Sequence, residues 1–219
     1  MDQIPQALLF LGLIPVLILF YISLKGYDEL FHFKNVFVTL ILGMFIGVVA
    51  LIIEANTVAA GVLFIILYPL LEQLFKTMIL NLRRFHGRNV TVIYGLSLGL
   101  GFGSIFILSS LILLFIGGSV DTFSLLLTVF GSLGIIMMHG ATGVYIGFGV
   151  YSYKLVKYVL LSILVHIPIT AWIYITTLLN KGYLQLAIFP YGILLYWHAT
   201  TKIMPKILLD KNKTRKSKK

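Results

Sequence analysis

Residues 90–116 read VTVIYGLSLGLGFGSIFILSSLILLFI, with no charged side chain anywhere in the run. A strand of a membrane barrel needs only about ten residues and alternates apolar with polar positions. This stretch is far longer and does not alternate. A helix satisfies its own backbone hydrogen bonds, so a continuous apolar run of this length reads as a helix crossing a bilayer. Six more runs of the same kind accompany it, at 6–24, 34–53, 57–81, 123–151, 155–179 and 183–201. The opening Met1-Asp2-Gln3 lacks the basic start of a signal peptide, so the first run is also read as a helix. The expected fold class is all-α: a polytopic membrane protein with seven transmembrane helices. Its single domain is expected over 1–206, followed by a basic disordered tail over 207–219.

Composition agrees. Of 219 residues, 59% are hydrophobic and 11% charged, against about 25% charged in a soluble domain. That excludes a soluble globular domain and a disordered chain. The absence of cysteine excludes a disulfide scaffold and thiolate or iron–sulfur chemistry. The net charge of +10 does not mark a nucleic-acid binder, because eight of the 17 Lys and Arg residues lie between Lys202 and Lys219. The others sit mostly in short loops, so the partner expected of these bases is membrane lipid, not nucleic acid.

The loops alternate in charge. Lys25 and Lys34, then Arg83, Arg84 and Arg88, then Lys154 and Lys157 share one side with the C-terminal bases. The other side holds Asp2, Glu54, Asp121 and the base Lys181. The positive-inside rule then places the N-terminus outside and the C-terminus in the cytoplasm. Small residues recur four apart at Gly43 and Gly47, at Gly95, Gly99 and Gly103, and at Gly143 and Gly147. Such rows let helix backbones approach closely, which makes the fourth and fifth helices the expected packed centre.

Against this background a few residues stand out. Glu72 and Lys76 lie inside the third run, where each charge costs about 2.5–3.5 kcal/mol at a helix centre. Their i, i+4 spacing puts them on one helical face, where they can pair. His139 and His166 lie in the fifth and sixth runs. At about 1.5 Å per residue from the cytoplasmic loops, Glu72 is roughly 15 Å deep, His166 about 16 Å and His139 about 20 Å. Three ionisable groups from three helices thus reach a common level and can meet in one pocket. Glu72, supported by Lys76, could take a proton from water while a histidine stabilises an oxyanion. Alternatively, Glu72, His139 and His166 form a three-ligand set for a divalent metal such as zinc. Proton relays use the same residue types, so a carrier remains a third reading. His198, beside Trp197, reads as an interfacial anchor, and His86 as a solvated loop residue.

The segment Tyr68-Pro69-Leu70-Leu71-Glu72-Gln73-Leu74-Phe75-Lys76 resembles the PrsW motif, a proline followed by EExxK. Glu72 matches the first glutamate and Lys76 the lysine, while Gln73 replaces the second glutamate. Tyr94-Gly95 through Gly103 resembles the family's glycine-rich helix, with Phe106 where an acidic residue or histidine is usual. His139-Gly140-Ala141-Thr142-Gly143 is similar to the histidine-led third motif. Leu164 to Thr170 is similar to the fourth, with His166 in place and Thr170 where Asn or Asp is usual. The resemblance covers residues 66–172. It implies a prokaryotic cell-membrane protein related to the type II CAAX prenyl endopeptidases and bacteriocin-immunity proteins. The activity implied is intramembrane cleavage of a membrane-anchored protein substrate, with Glu72, Lys76, His139 and His166 as catalytic residues. The superfamily's non-catalytic APH subunit of γ-secretase is similar in its seven helices and paired histidines. It implies the alternative of a scaffold that binds a partner helix.

Overall fold

The computed structural model describes residues 7–118 and 121–208. Asp2 and the tail from 209 onward lie outside the described residues. Among the described residues the regular structure is all helical, with no strand. The helices are α1 (Ala7–Leu24), α2 (Phe33–Thr57), α3 (Phe64–Leu80), α4 (Val90–Ile116), α5 (Thr122–Tyr151), α6 (Leu155–Leu178) and α7 (Ile188–His198). Among them, α2 to α6 supply five spans long and apolar enough to cross a membrane. In α1 the qualifying apolar part is the shorter Gly12–Leu24. α7 continues into one turn of π-helix, Ala199–Ile203.

Three boundaries differ from expectation. The third run begins as a 3-10 segment, Val58–Leu63, because Gly61 adopts φ +59° and breaks the helical path. The seventh likewise begins as a 3-10 segment, Gly182–Ala187. Residue 207, expected in the tail, is helical: Ile207 packs in the core beside Met204. At the start of α5, Asp121 caps the helix by accepting from the Ser124 backbone N–H at 2.9 Å and the Ser124 hydroxyl at 2.6 Å.

α4 is the central helix, packed between α2 and α5. The glycine rows explain how. A Cβ on Gly95 would lie 2.2 Å from the Gly143 carbonyl oxygen, and one on Gly99 would lie 2.1 Å from that of His139. On another face of α4, a Cβ on Gly101 would lie 2.1 Å from the Leu40 oxygen of α2. Only hydrogen fits at these crossings, so the backbones touch and dispersion binds the helices where no hydrophobic effect can. The periphery presents Phe45, Met78, Leu164 and Leu194, all more than half exposed. Large apolar side chains turned outward suit lipid contact, and the chain is read as a membrane protein.

Candidate functional site

α3 turns one polar stripe inward. Glu72, Gln73 and Lys76 are all buried on it, at most 2% exposed. His139 on α5 and His166 on α6 face them and are also buried. Glu72, His139 and His166 each bring a ligating atom within 4.8 Å of the other two. Glu72 Oε2 lies 3.2 Å from His166 Nδ1 and 3.8 Å from His139 Nε2. The two imidazole rings meet edge to face, centroids 5.3 Å apart.

Local helix chemistry sets these positions. Pro69, three residues before Glu72, and Pro168, two after His166, each remove an intrahelical donor. Near the second break, the Tyr191 hydroxyl of α7 donates to the Val165 carbonyl at 2.9 Å. Such partners are how a bilayer-embedded helix tolerates proline.

The Lys76 amine is fully accounted for, though not by the expected i, i+4 pair. Among the described residues no ion pair joins it to Glu72. Instead it bonds His139 Nδ1 at 3.1 Å and donates to Thr142 Oγ1 at 2.9 Å. It also lies 5.0 Å above the Phe102 ring. A helix-face argument sees only same-helix neighbours, and α5 comes closer. The consequence concerns His139. An ammonium has only protons to offer, so Nδ1 must accept and the proton sits on Nε2, the nitrogen facing Glu72.

Sequence reasoning missed several participants. Glu54, expected in a loop, stands near the end of α2 with its carboxyl beside that of Glu72. Two carboxyls this close in a buried site keep one proton between them, because two adjacent negative charges repel. The Tyr68 hydroxyl fixes this end of α2 by donating to the Glu54 carbonyl at 2.7 Å. Gln73 Nε2 donates to His166 Nδ1 at 2.9 Å, which likewise leaves the His166 proton on Nε2. Thr142 is visible in the sequence only as part of a motif. Phe106 is no bystander, since it stacks on His139 at 5.3 Å and 19°. Thr170 is buried on the same helix as His166, and no hydrogen bond joins its side chain to the cluster among the described residues. His198 and His86 stand outside the site. His198 Nδ1 pairs with the Tyr145 hydroxyl at 2.9 Å, so it is more than a surface anchor. His86 contacts Asn81 in its exposed loop.

Two buried acceptors, Glu72 Oε2 and Gln73 Oε1, have no hydrogen-bond donor among the described residues. Buried polar atoms are nearly always paired, and orphans of this kind mark bound water or a reacting group. Here both orphans are acceptors beside His166, so what they lack is a donor of O–H or N–H.

A divalent ion fits this donor set in number but not in its surroundings. Zinc ligands sit about 2.0–2.2 Å from the metal, which three atoms so close could approach. However, a ligating imidazole donates its other N–H to an acceptor. His139 and His166 instead each receive a hydrogen bond at Nδ1, from Lys76 and Gln73. His139 therefore presents N–H from Nε2 towards Glu72, and the His166 nitrogen beside Glu72, Nδ1, already accepts from Gln73, so neither histidine offers the cluster a free lone pair.

No family model matches the chain, and no curated protein or solved structure matches it.

Proposed function

We propose that this chain is a PrsW-like intramembrane endopeptidase that hydrolyses a peptide bond of a membrane-anchored protein. The supporting observation is the pair of orphan acceptors, Glu72 Oε2 and Gln73 Oε1, in a buried cluster whose histidines carry their protons on Nε2. A water donating to both acceptors would be held for attack. Glu72, as carboxylate, takes one proton as the water oxygen bonds to the peptide carbonyl carbon. The carbonyl π-electrons move to oxygen, and the His139 Nε2–H stabilises the resulting oxyanion. Collapse breaks the C–N bond, and the proton on Glu72 passes to the leaving amine. The products are a carboxylic acid and an amine, with the enzyme restored. Glu54 shares the proton of the glutamate pair, and Lys76 is a positioning residue that fixes the His139 tautomer.

The same reading takes α1 and α7 as spans, giving seven, with the N-terminus outside and the C-terminus in the cytoplasm of a prokaryotic cell. A substrate helix would approach beside α6, where a cavity of about 210 Å³ is lined by Pro168, Ile169, Trp172 and Tyr191. Glu72→Gln tests the reading whatever the identity of the substrate. Protein N-termini in membranes of cells expressing the wild type are compared with those of cells expressing folded Glu72→Gln. New termini that vanish in the variant are expected. Identical profiles would refute hydrolysis.

One observation favours a second reading, a scaffold that binds a partner helix. Phe106 stacks on His139 where the family pattern has a polar group, and the cluster is sealed from solvent. On that reading the termini are identical and a membrane partner co-purifies equally with wild type and Glu72→Gln.

A further inference from the structure

Well apart in sequence from the buried cluster, a cavity of about 180 Å³ lies between the start of α2, the loop before α4 and the first turns of α4. Its polar lining includes Asn35, Arg84, Arg88 and Tyr94, and its apolar wall Val38 and Leu42. No carboxylate lines it, and neither arginine forms an ion pair among the described residues. Tyr94 is 8% exposed. Its hydroxyl accepts from Asn35 Nδ2 at 3.4 Å, while its own proton has no acceptor among the described residues. Two solvent-exposed guanidinium groups and the buried Tyr94 hydroxyl thus line one cavity with donors and no carboxylate. That is the chemistry of an anionic oxygen cluster, and the guanidinium plane matches phosphate best.

The loop that carries the arginines is held in place. Phe85 is buried, packs edge to face on Tyr94 at 5.6 Å, and its carbonyl accepts from Thr91 Oγ1 at 2.6 Å. The Arg84 guanidinium lies 4.7 Å over the Phe85 ring. From this anionic end, Val38 and Leu42 follow one face of α2 at i, i+4, and Phe45, 67% exposed, continues it. A ligand that satisfies both ends has a phosphate and a hydrocarbon chain. The cavity also lies where α2 and α4 begin, beside the basic loops, at the level where headgroups meet a spanning helix.

We infer that this cavity binds an anionic phospholipid, its phosphate held by Arg84, Arg88 and Tyr94 and an acyl chain lying along Val38 and Leu42. The inference does not depend on the proposed hydrolysis. The test uses the full chain in detergent, titrated with phosphatidylglycerol, phosphatidylcholine or inorganic phosphate and read by native mass spectrometry. Wild type is expected to hold phosphatidylglycerol about tenfold more tightly than phosphatidylcholine, whose quaternary ammonium cancels the phosphate charge and is repelled by the two guanidinium groups. Arg84→Gln with Arg88→Gln should erase that preference. Tyr94→Phe, which keeps the ring and the fold, should weaken phosphatidylglycerol by about tenfold for one lost bond to a charged group. Lys154→Gln with Lys157→Gln, in another loop, should leave the preference intact. An unchanged preference in the arginine double variant, or an unchanged affinity for phosphatidylglycerol in Tyr94→Phe, overturns the site. So does an equal loss in the lysine control, which would mean unspecific surface attraction. Displacement of the lipid by equimolar inorganic phosphate overturns the lipid assignment.

Discussion

Gly99→Ala adds one methyl group where α4 crosses α5. The new Cβ would lie 2.1 Å from the His139 carbonyl oxygen and 2.8 Å from its carbon. Both are backbone atoms, so no side chain can swing aside. Ordinary contact requires the helices to part by roughly 1 Å at this point, and overpacking of this kind costs about 1–3 kcal/mol. The residue pushed is His139 itself. Moving α5 away from α4 shifts His139 relative to α3, whose Lys76 bonds it at 3.1 Å and whose Glu72 lies 3.8 Å away. A misplacement of about 1 Å costs on the order of 100-fold in rate. Gly99→Ala is therefore expected to lower unfolding stability in detergent and to reduce the Glu72-dependent protein termini about 100-fold. Gly182→Ala is the control, since a Cβ there meets nothing within 4 Å. Stability and cleavage in Gly99→Ala equal to those of Gly182→Ala would refute the reasoning.

Lys76→Met keeps the chain's bulk but removes the donor that fixes His139, so the protein should still fold while cleavage falls about 100-fold, the usual cost of one oxyanion donor. Wild-type cleavage in Lys76→Met would dispose of the tautomer argument. Treatment with a strong chelator should leave cleavage within about twofold; loss on chelation, restored by added zinc, would reverse the assignment of proton-bearing histidines. At the cap of α5, the Asp121 carboxyl is held below the ordinary range by hydrogen bonds from the Ser124 hydroxyl and backbone N–H. A depressed folded value stabilises above the unfolded one, about 3.9, and is lost as pH falls through the folded value. Asp121→Ala should therefore lower the thermal midpoint at pH 7, and its difference from wild type should shrink as the pH is taken below about 4. A pH-independent difference would show that the cap does not act through its charge.

The spans are legible where chemistry marks both ends. Residues 90–116 form α4 without adjustment, because Arg88 and Asn89 precede it and Gly117 and Gly118 follow. The depth count also brings Glu72, His139 and His166 to one level, and the structure places them together. What fails is direction. Glu54 reads as the end of a span because hydropathy registers a charge but not whether it turns inward, and α2 in fact runs on to Thr57. Lys76 pairs with Glu72 by i, i+4 spacing because that rule knows only one helix, whereas a four-carbon side chain reaches the next. Gly61 is a silent break, since a glycine tolerated inside a helix and one at φ +59° look alike in sequence.

The missed residues also explain how hydrocarbon tolerates the cluster. Lys76 brings one positive charge. Glu54 and Glu72 stand side by side, and two adjacent buried carboxyls keep one proton between them, so together they bring one negative charge. Two imidazoles, each with one proton, bring none. The sum is neutral, and a buried group of charges is tolerable when its members cancel and are hydrogen-bonded. A third carboxylate at position 73 would upset that balance or demand another proton. Gln73 supplies hydrogen bonding there without charge, while Glu54 reaches in from α2 with the second acid. On the proposed family reading, what looks like a lost glutamate is an acid moved to a neighbouring helix. The substitution at 73 then counts for the hydrolytic site, because the carboxyl pair that a proton-transfer step needs is still present.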